Sequence, residues 1–123
     1  MLTIGTIVMG AADVGRAAAF WGAALGYVPR DGAVDAGWTV LVPAEGPGPG
    51  LALGLSTSPV QERPRVHLDL YAADAAEQKA EVARLVALGA RHVDWDAYPA
   101  DPDFVVLADP EGNRFRLIDT SHG

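Results

Sequence analysis

Residues 2–9 alternate: Leu2, Ile4, Thr6 and Val8 fall on one face and Thr3, Gly5, Ile7 and Met9 on the other, the two-residue period of a strand. The period then changes. Val14, Ala18, Trp21 and Leu25 follow at helical spacing. Asp13 stands where a carboxylate can accept the free amides of a first helical turn, and Gly26 stands where a left-handed cap is wanted. Short strands are predicted over 27–30, 38–42 and 51–55, separated by Asp31-Gly32 and by a stretch of alternating glycines and prolines before Gly50.

The order then repeats. A strand is predicted over 65–71, and a helix follows in which Asp74 and Glu77 form an acidic capping box, Val82, Leu85 and Val86 supply the apolar stripe, and Gly89 ends the helix. Strands over 91–95, 104–108 and 114–118 complete the second half, the last two joined by Asp109-Pro110-Glu111-Gly112-Asn113, whose glycine suits a left-handed turn position. Asp13 and Asp74 lie 61 residues apart, and the same offset carries Thr6 onto His67. One strand–helix–three-strand module is thus written twice, over about 1–58 and about 64–120. Neither half buries a helix-backed sheet well alone, so the expectation is a single domain over 1–123 with a shared core.

Composition narrows the chemistry. Half of the 123 residues are apolar and a fifth charged, a globular profile. The absence of cysteine removes disulfides, thiolate metal sites and cysteine nucleophiles. Nine basic against sixteen acidic residues give a net charge of −7, which argues against nucleic acid and anionic membrane as partners. No apolar run reaches the ~18 residues of a membrane span. The start of the chain lacks a basic segment and Asp13 interrupts any signal-like run, so the expected location is cytoplasmic. No phosphate-binding glycine loop and no Gly-x-Ser-x-Gly elbow is present. The four aspartates within 94–103 lack the spacing and glycine of a calcium loop and read as a solvated loop.

With the duplication in view, the chain resembles the vicinal oxygen chelate superfamily, which includes glyoxalase I, extradiol dioxygenases and bleomycin-resistance proteins. The resemblance rests on Asp13, Ala19-Phe20-Trp21 and Leu25-Gly26-Tyr27 in the first half. In the second it rests on Val66-His67-Leu68-Asp69-Leu70, Leu88-Gly89-Ala90 and Asp109 to Phe115. It implies an α+β fold in which two βαβββ modules form a curved, cup-like mixed sheet with helices outside, a ligand or metal within the cup, and a homodimer. Enzymes of that superfamily hold a divalent ion through four cup-facing positions, mostly His and Glu. Carried onto this chain, those positions fall at Thr6, at His67, near 53–55 where no ligand residue occurs, and at Arg116, four residues beyond Gly112. One good ligand in four, with a guanidinium in place of a carboxylate, describes a degenerate site, and neither metal nor other cofactor is expected.

The candidate ligand-binding residues are Thr6, Trp38, His67, Asp69, Tyr71, Trp95, Phe104 and Arg116. The aromatic members fit either a stacking wall or core packing. His67 fits a hydrogen-bonded histidine or a general base assisted by a carboxylate. Arg116 fits an internal ion pair or a fork that holds a ligand oxyanion. The reading is a metal-independent binding protein for a small organic molecule, aromatic or anionic, of the ligand-sequestering kind. The alternative is a lyase, isomerase or dioxygenase of the same superfamily, either with a metal on non-standard ligands or metal-free with His67 as base and Arg116 at an oxyanion.

Overall fold

Asp13 accepts the Arg16 amide at 3.0 Å and opens the first helix, and Asp74 accepts the Glu77 amide at 2.8 Å and opens the second. Around these two caps the computed structural model, which describes residues 1–123, divides into compact units of Met1–Pro59 and Val60–Gly123.

The first unit contains β1 (Thr6–Ala11), α1 (Val14–Leu25), β2 (Tyr27–Pro29), β3 (Trp38–Pro43) and β4 (Gly50–Leu55). The sheet order is β1-β4-β3-β2, with β1 parallel to β4 and the other pairs antiparallel. α1 packs on β2, β3 and β4, burying Val14, Ala17, Ala18, Phe20 and Trp21 over Leu41, Leu51 and Leu53. Gly26 closes the helix at φ 68°, a left-handed conformation that a Cβ disfavours.

The second unit contains β5 (Asp69–Ala72), α2 (Ala75–Leu88), β6 (Arg91–His92), β7 (Phe104–Ala108) and β8 (Arg114–Asp119). Its sheet order, β5-β8-β7-β6, has the same one parallel and two antiparallel pairings. The fold is therefore α+β, two βαβββ modules each built on an open four-stranded mixed sheet. The 61-residue offset holds to the end of the first strands, since β1 ends at Ala11 and β5 at Ala72. No helix is long and apolar enough to cross a membrane.

Three boundaries differ from expectation. The first strand spans Thr6–Ala11 and not 2–9, because its partner β4 begins at Gly50, after Pro49, which has no amide proton for a ladder. The last ladder-type contact at that end is the Gly50 amide on the Gly5 carbonyl at 2.8 Å. The fifth strand begins at Asp69 and not at Arg65. The Arg116 amide meets the Leu68 carbonyl at 3.0 Å, and the segment before it comes from a loop containing Pro64. His67 consequently stands just outside the ladder. The sixth strand is only Arg91–His92, where five residues were expected. In α2, Leu85 is buried but Val86 is 38 % exposed, so the apolar stripe is covered only in part.

Candidate functional site

β8 alternates strictly: Phe115, Leu117 and Asp119 are buried, whereas Arg114, Arg116 and Ile118 stand on the opposite face. Pairing with β7 places Phe104 across from Ile118, Val106 across from Arg116 and Ala108 across from Arg114, so these residues share that opposite face. The parallel register with β5 sets Asp69 beside Arg116.

The Asp69–Arg116 pair is bidentate. Arg116 donates through Nε to Asp69 Oδ1 at 2.8 Å and through Nη2 to Oδ2 at 2.6 Å. His67 Nδ1 lies 3.0 Å from the same Oδ1, and the Arg116 guanidinium stands 4.6 Å from the centre of the Phe104 ring. The hydrogen bond from Arg116, reinforced by its charge and by His67, holds the Asp69 carboxyl below the usual aspartate range against the opposing effect of burial. Reciprocally, Asp69 raises Arg116 above the ordinary arginine value.

Beside this triad lies a pocket of about 270 Å³, just under the ~300–1,000 Å³ of ordinary ligand sites. Its apolar wall includes Trp95, Phe104 and Val106, and His67 and Arg116 border it. Two further arginines complete the rim. The Arg63 and Arg114 guanidinium groups lie 5.4 and 5.9 Å from the centre of the Trp95 ring. Arg63 is ion-paired with Asp96, whose carboxyl is lowered by that contact, and Arg114 donates through Nη1 to the Glu62 carbonyl at 2.7 Å. Tyr98 packs against Phe104 at 5.3 Å, and its hydroxyl accepts the Val106 amide at 2.7 Å, which ties its loop to β7.

Of the eight candidate residues, the structure thus brings His67, Asp69, Trp95, Phe104 and Arg116 together in the second unit. Tyr71 is 77 % exposed and does not line this pocket. Thr6 and Trp38 belong to the first unit, Thr6 opposite Gly50 and Trp38 against Gly54, where a Cβ would come within 3.2 Å of its ring. Arg63 and Arg114 were missed. Arg114 was findable, since it sits two residues from Arg116 on one strand and therefore on its face. Arg63 lies in a loop and carried no periodic signal.

The donor set does not fit a divalent ion. Asp69 is clamped by a guanidinium, His67 Nδ1 is engaged by that same carboxylate, and in neither unit do three His, Asp or Glu side chains gather to hold a metal.

The duplicated βαβββ module is the architecture of the vicinal oxygen chelate superfamily, and the structural neighbours agree. A glyoxalase-related enzyme from Fulvimarina pelagi superposes with a TM-score of 0.70 at 20% identity, covering 96% of this chain and 88% of that one. A genomically encoded fosfomycin resistance protein from Listeria monocytogenes gives 0.71 at 16% identity, covering 97% and 91%. A lactoylglutathione lyase from Agrobacterium tumefaciens gives 0.63 at 20% identity, covering 98% and 95%. At the level of sequence the chain belongs to the glyoxalase-like domain family, which matches it over residues 6–118. No curated protein matches it in sequence.

Proposed function

We propose that this chain is a metal-independent small-molecule-binding protein of the glyoxalase and bleomycin-resistance superfamily, acting as one domain over 1–123. Its ligand is a small organic molecule, aromatic or anionic, taken up against the sheet face that carries Phe104 and Arg116. The observation that supports this most is the Asp69–Arg116 clamp: a guanidinium occupies the position of a superfamily carboxylate ligand and engages the nearest carboxylate. Beside it stays a pocket with an aromatic wall and a cationic rim, suited to binding by stacking and charge. Thr6, at a superfamily ligand position, and the aromatic side chains Trp38 and Tyr71 remain proposed ligand contacts outside this pocket. A homodimer is part of the proposal, supported by exposed Val8 and Tyr71 on the edge strands β1 and β5 of their sheets. The test is a thermal-shift survey of aromatic acids, amides and alcohols on chelator-treated protein. Saturable stabilisation by at least one class is expected, and none across the survey contradicts the proposal.

One observation favours a second reading. With Nδ1 of His67 held by Asp69, Nε2 is the nitrogen left to take a proton, the arrangement of a carboxylate-oriented general base. On this reading the chain is a metal-free lyase or isomerase, and His67→Gln abolishes turnover of a bound ligand while leaving its affinity within a few fold.

A further inference from the structure

The three arginines at the pocket differ in which edge of the guanidinium is in use. Arg116 presents Nε and Nη2 to Asp69, and this side-on pair is the edge that matches two carboxylate oxygens at once. Arg63 is held by Asp96 through Nη2. Arg114 is arranged the other way. Its contact with Glu62 uses Nη1 and a neutral carbonyl, its second contact is the Trp95 ring, and it meets no carboxylate within ion-pair distance. Its Nε–Nη2 edge is therefore the one side-on fork at the pocket that no protein carboxylate occupies.

Charge balance points the same way. Arg63 and Arg116 are each ion-paired with one aspartate, and Arg116 also feels the charge of Asp103, whereas Arg114 is in no ion pair although the chain carries a net charge of −7. One open fork on an arginine outside any ion pair calls for one carboxylate, and the Trp95, Phe104 and Val106 wall calls for an aromatic body.

We infer that Arg114 is the anion anchor of this pocket and that the ligand class is an aromatic monocarboxylate, held side-on by Arg114 with its ring against the Trp95–Phe104 wall. This rests on the ligand-binding reading above and adds the ligand's charge, its class and the residue that selects it. Arg116 then acts as a positioning residue, holding Asp69 and through it His67.

The test is calorimetric titration of the full chain with 2-naphthoate, 2-naphthamide and 2-naphthyl phosphate, using wild type, Arg114→Met and Arg114→Lys. Wild type is expected to bind the carboxylate about tenfold or more tightly than the isosteric amide, since a charge-assisted pair is at stake. Arg114→Met should remove that preference, so that carboxylate and amide bind with equal affinity. Arg114→Lys keeps the charge without the fork, and should retain part of the preference even if the methionine variant folds poorly. Equal binding of carboxylate and amide by wild type, tighter binding of the phosphate dianion, or an Arg114→Met variant that keeps its preference would each overturn the inference while leaving small-molecule binding standing. No binding of any of the three probes would overturn the inference, and the binding reading falls with it only if the thermal-shift survey is negative as well.

Discussion

Asp69 is the residue on which the second unit's site turns. Its side chain is about 30 % exposed, so the Asp69–Arg116 pair is partly screened, and Asp69→Asn should cost about 1 kcal/mol of stability at neutral pH, not the several of a buried pair. The pH dependence has a definite sign. Because the folded state lowers the Asp69 pKa, its contribution is complete above the ordinary aspartate range and is lost as pH falls through the lowered value. Urea unfolding from pH 7 to pH 2.5 should therefore show a wild-type loss below about pH 4 that is smaller in Asp69→Asn. Equal acid sensitivity in the two proteins would remove Asp69 from the account. The sequence made Asp69 and Arg116 candidates but could not join them. Residues 47 positions apart meet only through the β5–β8 register, which is a property of the assembled sheet. For the same reason the alternation of β8 was legible while the edge of each guanidinium in use was not.

At the scale of elements, helix starts were the most legible feature, because an N-cap is decided by one side chain and the amide three residues on. Asp13→Ala and Asp74→Ala should each destabilise by about 1 kcal/mol in urea titration, with changes near zero counting against the caps. The β7–β8 turn goes further than the sequence reading did. Gly112 takes φ 92°, as its position suggested, but the fully buried Asp109 carboxylate also accepts the Glu111 and Asn113 amides at 2.9 and 2.8 Å. Asp109→Ala should cost about 1–3 kcal/mol, since two part-buried amides lose their partner. Strand ends were less legible, because a strand extends only as far as its neighbour can pair. Thr3 and Ile4 alternate well yet find no ladder before Gly50, and Val66 alternates well ahead of a β5 that starts at Asp69. Gly10 is a further case: a Cβ there would lie 2.8 Å from the Ser56 Cβ, so Gly10→Ala should destabilise, whereas Gly5 has open space around it.

For the whole molecule, the duplication was legible because it is written in spacing: two caps 61 residues apart and two glycine-ended helices. The units span Met1–Pro59 and Val60–Gly123, and chains of that size bury only about 60 % of their unfolded surface, which makes them marginal alone. If the two act as one domain, calorimetry of the full chain should show a single unfolding transition, and two separated transitions would contradict that proposal. The proposal of metal independence starts from Arg116 standing at a carboxylate position, which was legible in the sequence. The pocket's full rim was not legible, since Arg63 comes from a loop whose path no periodicity encodes. The most direct test of the central claim is to titrate 2-naphthoate into chelator-treated protein and into protein soaked with nickel, zinc, manganese or iron(II), with elemental analysis of each sample. The account predicts saturable binding with the same affinity throughout and no ion retained at one per chain. Binding that disappears with chelator and returns with one stoichiometrically retained ion would contradict it.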